Sequence, residues 1–595
     1  MKKFTTLFLL ILAFTLAACS GSAITSLSVV DDVQTAAVSE VVADTAVTTT
    51  QTITATAVPV TVKYDSEDLE TSTTATTTIT LSGNVIAVAG EGTVVNGSSV
   101  TITAAGTYDI SGTLTNGQII VETADEDPVV LILNGVNITY ATSAPIFVSN
   151  AEKVVITLAE GTENVVTDGD MYQFPDAETD EPNAAIFSHD DLTINGSGSL
   201  TVNANYNNGI TSKDDLKITG GSITVNAVND AIKGRDSIAV TDANITITAD
   251  GDGMQSNNDE DAEKGYVAIE SGTINITAGS DGIQAETSLL VSGGNITIAS
   301  SGKGLKANVD ITIAGGTIAI DASDDALNSN NSITINGGDI VVASGDDGVH
   351  ADVSFVMNDG NLTISQSYEG IESGIIIING GTIHLNASDD GINVSSGEGG
   401  GGRPGQTVSG DYYLEINGGY VFVDAGGDGL DSNGLGTLNG GVVIVNGPIM
   451  NMNGTLDVDG MLTINGGFLV GVGSAGMAQA PSTASTQYSV LQMMPATQSA
   501  GSIVHIESEA GQEIVTFVPT KSYEMIVVSS PELENGTTYL VYTGGSATGT
   551  VTDGLYTDGT YSAGTQVASF TISSIVTGQG TGMGGPGGGG RPGRP

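Results

Sequence analysis

The sequence predicts an all-β protein, a right-handed parallel β-helix built from coils of about 22 residues with three strands per coil and closed by a β-rich C-terminal cap. Three observations carry this. A Gly-Gly pair or its stand-in recurs at Gly220-Gly221, Asp242-Ala243, Ser271-Gly272, Gly293-Gly294, Gly315-Gly316, Gly337-Gly338, Asp359-Gly360, Gly380-Gly381, Gly418-Gly419 and Gly440-Gly441. A polar marker keeps the same steps: Asn208, Asp230, Asp252, Asp281, Lys303, Asp325, Asp347, Glu369, Asp390 and Asp428. Between them lie only short β-branched runs bounded by Gly, Asn and Asp, and no segment carries a useful helical period.

A unit of 22 residues is too short for a pair of helices, and it lacks the Leu/Asn pattern of leucine-rich repeats. Its turns divide one coil into strands around Ile283–Ala285, Leu289–Val291 and Ile296–Ile298. Alternation then sets which side chains point inward. Ile283, Leu305, Leu327, Val349, Ile371, Ile392 and Leu430 form one inner column, and Ile296, Ile318, Ile340, Leu362 and Ile383 another. Ala285, Ala307, Ser329 and Ala351 form a third of smaller residues. Each stacks on its equivalent about 4.8 Å along the axis, so no single coil needs a core of its own. Two steps are lengthened by insertions, near residues 255–266 and 395–413.

The N-terminus, MKKFTTLFLLILAFTLAACSGS, has a basic start, a short apolar run and small residues before a cut, as a secretory signal peptide does. Its Leu16-Ala17-Ala18-Cys19 resembles the bacterial lipobox, which implies cleavage before Cys19 and acylation of that thiol. The expected organisation is a signal peptide over 1–18, a Thr/Ala-rich tether over 19–75, the β-helix over 76–475, the cap over 476–575 and a Gly/Pro-rich disordered tail over 576–595. The product is expected to be exported and held by lipid at the bacterial cell membrane or outer surface, as a monomer, with no internal disulfide because Cys19 is the only cysteine. Among 595 residues, 68 are acidic and 15 basic, a formal charge of −53. That excess repels phosphate backbones and argues against nucleic acid as a partner.

Several stretches together carry a family likeness: GTYDISGTLTNGQIIV, VVLILNGVNIT, NAEKVVITLAEGTENVVTDG, EPNAAIFSHDDLTINGSGSLTVNANYNNGITSKDDLKITGGSITV and DEDAEKGYVAIESGTINITAGSDGIQAETSL. They resemble the bacterial carbohydrate-binding domain family first recognised in a cellulose-degrading clostridium, whose fold is a right-handed parallel β-helix like that of pectate lyases. The resemblance spans roughly residues 75 to 450 and implies binding of polysaccharide, with cellulose and polygalacturonate as the ligand class, and bound calcium.

Two columns of side chains are candidates for that chemistry. Asp230, Asp252, Asp281, Asp325, Asp347 and Asp390 share one corner, with Asp324, Asp346 and Asp389 beside them. Neighbouring carboxylates about 4.8 Å apart repel by about 3–4 kcal/mol at an effective dielectric near 20. A Ca2+ ion reverses that sign and accepts carboxylate, amide and carbonyl oxygens in flexible geometry. Turn chemistry is the alternative, since Asp-Gly supplies the left-handed conformation a tight corner needs. Lys303 replaces the Asp in one coil and offers neutralisation without a metal. The first insertion adds Asn258, Asp259 and Asp261, either as metal ligands or as a solvated loop. Three residues past each corner, Lys233, Gln255, Gln284, Lys306, Asn328, His350 and Glu372 form an outward polar column able to follow the hydroxyls or carboxylates of a glycan, or to be an ordinary solvated strand face.

With no tryptophan in the chain, the aromatics available to stack on sugars are Tyr206, Tyr266, Tyr368, Tyr412, Tyr413 and Tyr420. The function expected is calcium-dependent binding of acidic or cellulosic polysaccharide without cleavage. The alternatives are a lyase of pectate-lyase type and an adhesin or structural surface protein. Lyase chemistry needs an unprotonated base, and Lys213, Lys233, Arg235, Lys303 and Lys306 are its candidates. Acidic neighbours raise the pKa of such bases, so salt bridging is the expected role of Lys213 and Arg235.

Overall fold

The structure, a computed structural model, describes residues 60–176, 178–395, 412–562 and 564–578. The expected signal peptide, Cys19, most of the tether, most of the second insertion and most of the tail lie outside the described residues.

Three parallel sheets wind into a β-solenoid of about 16 turns. Sheet A holds short strands such as Ile232–Gly234, Met254–Ser256, Ile283–Ala285, Leu305–Ala307 and Leu327–Ser329. Sheet B holds Ser237–Val240, Tyr266–Ile269, Ser288–Val291 and Asp310–Ile313, and sheet C holds Ser222–Ala227, Asn244–Ala249, Thr273–Ala278, Asn295–Ser300 and Thr317–Ala322.

The register matches the sequence columns. Ile283 pairs with Leu305, Leu305 with Leu327, and Leu327 with Val349 on sheet A, while Ile296, Ile318 and Ile340 pair in turn on sheet C. All are buried, and each such side chain contributes about 1.5–3 kcal/mol of apolar transfer. At the corner between sheets B and C, glycines such as Gly294 (φ 92°) and Gly316 (φ 97°) take the left-handed conformation that a side chain resists.

Both ends of the solenoid are closed. At the start, Thr77–Gly83 pairs antiparallel with Val85–Ala89, and Thr93–Asn96 with Ser99–Ile102. At the far end, Phe468–Gly473 pairs antiparallel with Tyr523–Ser529, which ends the parallel ladder of sheet C. A six-stranded sheet then folds back over the outward face of sheet C. Its Val504, Ile506, Phe517, Tyr539 and Val541 share a core with Ile444, Val470 and Val472. Asp553, at the tip of this sheet, accepts hydrogen bonds from His384 Nε2 (2.8 Å) and Tyr420 Oη (2.7 Å) of sheet C.

The last residues of the expected tether lie against sheet B. Asp68 is fully buried there, with Lys153 Nζ at 2.7 Å and Lys217 Nζ at 3.1 Å. Thr193 Oγ1 donates to it at 2.6 Å. Residues Val576–Thr577, the start of the expected tail, pair with Ser489 and Val490.

Candidate functional site

Insertions single out one face of the solenoid. The corner from sheet B to sheet C stays short, as at residues 292–294, 314–316 and 439–441. The corners on either side of sheet A do not. Residues 169–183 and 447–455 lengthen the entry to sheet A, and residues 257–265 and 395–412 lengthen the exit. In solenoids, insertions collect around the face that meets ligand. Sheet A is therefore the bordered face, and the outward polar column runs along its floor: Lys233, Gln255, Gln284, Lys306, Asn328, His350, Glu372, Asn393 and Asp431 pair in unbroken succession.

The corner carboxylates begin the same strands, and their oxygens divide the work. One oxygen caps the next coil: Asp230 Oδ1 accepts from Asp252 N (3.0 Å), Asp252 Oδ1 from Asp281 N (2.9 Å), Asp281 Oδ1 from Lys303 N (2.8 Å) and Asp325 Oδ1 from Asp347 N (3.1 Å). The other oxygen meets the outward column. Lys233 reaches Asp230 Oδ2 at 3.3 Å, Gln255 reaches Asp252 at 2.6 Å, Lys306 reaches Asp281 at 3.0 Å and Asn328 reaches Asp325 at 2.8 Å. The two columns thus interlock into one ladder. The backbone capping also replaces the left-handed turn expected at Asp281-Gly282 and Asp347-Gly348, neither of which has positive φ. Those glycines are needed for space, because a Cβ on Gly282 would lie 2.4 Å from Ile298 Cγ2.

Three groups of potential ligands emerge along this corner, each able to bring one atom per residue within 4.8 Å of the others. In Asp324–Asp325–Asp346 the protein supplies its own cation, with Lys303 Nζ 2.5 Å from Asp325 and 3.2 Å from Asp324. In Asp347–His350–Glu372, His350 Nδ1 lies 2.9 Å from Asp347 and 3.1 Å from Glu372. Those two hydrogen bonds push the His350 pKa up to about 11, so the ring is a cation here.

Asp390–Asp428–Asp431 is different. Among the described residues no Lys, Arg or His pairs with any of the three. Burial, opposed only in part by a backbone hydrogen bond, pushes Asp390 up to about 6 and Asp428 to about 7. Burial and the neighbouring carboxylates push Asp431 to about 9. A hard cation with oxygen ligands fits this donor set, whereas the absence of sulfur and nitrogen donors suits zinc poorly. Asp428 was legible as a marker of the repeat and Asp431 as a position of the outward column three residues on, but not as a pair. The signal is an acid at both the corner and the outward position of one coil, a pattern shared with Glu369 and Glu372, whose partners are Asn393 and His350.

Asp389 is half-buried at this end of the corner. Asn258 lies elsewhere: it is buried and organises its loop, its Nδ2 donating to Asp236 (2.5 Å) and its Oδ1 accepting from Glu260 N (2.9 Å) and Asp261 N (3.0 Å). Asp259 and Asp261 are exposed and join none of the three groups. Of the aromatics, Tyr206 borders sheet A and stacks on Tyr172 of the 169–183 insertion at 4.1 Å and 12°. Tyr368 borders the same face and is exposed, while Tyr420 is held under the folded-back sheet. The candidate lyase bases are all engaged: Lys213 with Glu181 (2.5 Å), Arg235 with Glu260 (2.7 Å), and Lys233, Lys303 and Lys306 as above.

Comparison with known proteins places this face in context. Over 137 residues, 23% of this chain, the sequence is 54% identical to a carbohydrate-binding domain-containing protein of Acetivibrio thermocellus, and the match spans 48% of that relative's length. Among solved structures, a polysaccharide lyase-like protein from C. thermocellum, in a gadolinium derivative, is 44% identical over 40% of this chain and 96% of that one, with a TM-score of 0.40. Through residues 96–348, from the early coils to the middle of sheet A, the chain matches the family of carbohydrate-binding domain-containing proteins.

Proposed function

We propose that this protein binds polysaccharide along the outward face of sheet A without cleaving it. The observation that carries this reading is the concentration of all the long insertions on the two borders of that face, with a continuous polar ladder as its floor. Half-buried amides and ammonium groups repeating at the strand spacing of about 4.8 Å can follow the hydroxyls of successive sugars. Tyr206 and Tyr368 at the border offer the apolar ring contact that pyranose faces accept.

The bases do not favour a lyase. Burial lowers the pKa of Lys303, but the hydrogen bonds and charges of Asp325 and Asp324 outweigh it and leave the amine more basic than usual. Hydrogen bonding to Glu260 raises Arg235. Each is held as a protonated partner of an acid and is unsuited to removing a proton from carbon.

The glycan class in this reading is acidic or cellulosic, with polygalacturonate and cellulose as first candidates. Calcium would link the acidic end of the ladder to carboxylated sugars: there the carboxylates Asp390, Asp428 and Asp431 would hold the ion, which supplies positive charge the chain lacks. Acylation at Cys19 would keep the solenoid at the cell surface, where such polymers are met.

A glycan array probed with the exported form, once with Ca2+ and once with chelator, tests the reading. Retention of polygalacturonate or cellulose is the expected result, with the acidic polymer weakened in chelator. Failure on every glycan overturns it. Unsaturated products absorbing near 235 nm would instead establish a lyase.

A further inference from the structure

We infer that the sheet A face is walled off at its N-terminal end by residues 178–183, so that a glycan on this face is held by a chain end and not by its middle. Chain-end capture rests on sheet A being the binding face, and adds to it which part of the polymer is bound.

Ahead of Ile232–Gly234, sheet A continues through Asn208–Ser212, Ala184–Ser188 and Ile146–Asn150. Its outward column continues with it, as Thr211, Phe187 and Phe147. From Lys233 onward most side chains of this column are half-buried. Alternation turns Phe187 out of the sheet in the same way, yet it is 0% exposed. Its column is therefore covered at this end.

The cover is the limb 178–183, which brings the insertion at 169–183 back to sheet A. Glu181 stands three residues before the strand Ala184–Ser188, on the entry border, and its carboxylate reaches the exit border. Oε1 lies 2.5 Å from Lys213 Nζ and Oε2 3.8 Å from His189 Nδ1, and those two residues directly follow the strands ending at Ser212 and Ser188. A limb rooted at the entry and paired at the exit crosses the face. Tyr172 packs on Phe187 from the entry side, and His189 packs edge-on against it at 5.0 Å from the exit side. The insertion at 257–265 keeps to its own border instead, where Glu260 pairs with Arg235 and Lys264 with Asp236.

Two buried atoms at the foot of this wall point independently to a ligand. Thr211 Oγ1 and Asn183 Oδ1 have no hydrogen-bond partner. Thr211 is the register neighbour of Lys233, the first rung of the polar ladder, and Asn183 O accepts from Asn208 N at the start of the strand that carries Thr211. Folded proteins leave few such groups unmet. A hydroxyl both donates and accepts, so the terminal hydroxyl of a chain seated against the wall can serve both. In the interior of a polymer that position is a glycosidic oxygen, which has no proton to give Asn183 and leads on to a sugar for which the wall leaves no room.

The test is a pair of binding isotherms for the full chain with polygalacturonate in chelator. The two fractions come from one preparation, the second with chains about ten times shorter, and both longer than the roughly 38 Å that eight coil steps from Lys233 to Asp431 span. Chain-end capture predicts half-saturation by the shorter fraction at about a tenfold lower mass concentration, because it carries that many more ends per gram. Equal mass concentrations would show the polymer held along its interior and overturn the closed end, while leaving sheet A as the binding face. Binding of neither fraction removes the glycan reading and the closed end with it. Glu181→Ala unties the limb from Lys213 and is expected to narrow the difference between the fractions; a difference as wide as in wild type overturns the limb as the wall.

Discussion

Replacing Asp68 with asparagine is expected to release the N-terminal strap from sheet B, at a cost of about 3–5 kcal/mol. The carboxylate is fully buried between Lys153 and Lys217, whose side chains are themselves almost entirely covered. The amide keeps the shape but leaves Lys217 buried without its anion and Lys153 with only the exposed Asp65, at 3.0 Å. Burial raises the Asp68 pKa, yet hydrogen bonds from Lys153, Thr193 and the Asp65 backbone outweigh it and hold the group below its ordinary 3.8. A depressed carboxylate contributes its full stability above the ordinary value and loses it as pH falls through the folded one. The wild-type strap should therefore hold at neutral pH and loosen only in acid below about 3.8. Limited proteolysis between residues 60 and 76 reads this directly. In the variant at neutral pH, cleavage should accelerate by roughly a hundredfold or more, since cleavage tracks the population of the open form. Equal rates would show that the buried pair does not hold the strap.

The second large effect is expected at His350. Its removal in His350→Ala leaves Asp347 and Glu372 facing each other without a cation, a loss of roughly 2–3 kcal/mol for hydrogen bonds to charged groups. The pH dependence has a definite sign. The His350 pKa rises from 6.5 to about 11 in the folded chain. Its contribution is complete below 6.5 and declines as pH rises from there to about 11. Wild-type denaturation midpoints should fall across that interval, and the variant should lack this component of the slope. Parallel slopes for both proteins would mean that the imidazole is not the cation of this group.

Much of the fold was legible because repetition multiplies weak signals. Any one run such as NITIAS is ambiguous, but the recurrence of Ile296, Ile318 and Ile340 at equal steps fixes both the period and the inward face. The same logic placed Lys233 through Glu372 in one outward line. Repetition says nothing about features that occur once. Asp68 lies 85 residues before Lys153 in sequence and belongs to no period, so its burial has no local signature. The folding of the cap onto sheet C, instead of over the solenoid end alone, depends on outward apolar residues such as Phe422 and Ile444, whose partners sit more than fifty residues downstream.

For the site, the sequence distinguished a corner column from an outward column and assigned them separate tasks. In three dimensions a residue and the one three positions later sit side by side, as Asp230 and Lys233 do. Part of the doubled charge is therefore neutralised within the ladder, by Lys233, Lys303, Lys306 and His350. The exception at Asp428 and Asp431 became informative only against that background.

The central claim is that glycan lies on sheet A. It is tested most directly by adding one negative charge to each of two faces and measuring polygalacturonate affinity in chelator. Gln284→Glu changes the outward ladder of sheet A, and Thr297→Glu changes the exposed middle of sheet C in the next strand but one. Repulsion and a lost donor at the sheet A position should weaken binding by about tenfold, equivalent to about 1.4 kcal/mol, while the sheet C variant binds as wild type. Equal affinity in Gln284→Glu and wild type, or a loss confined to Thr297→Glu, would contradict the assignment.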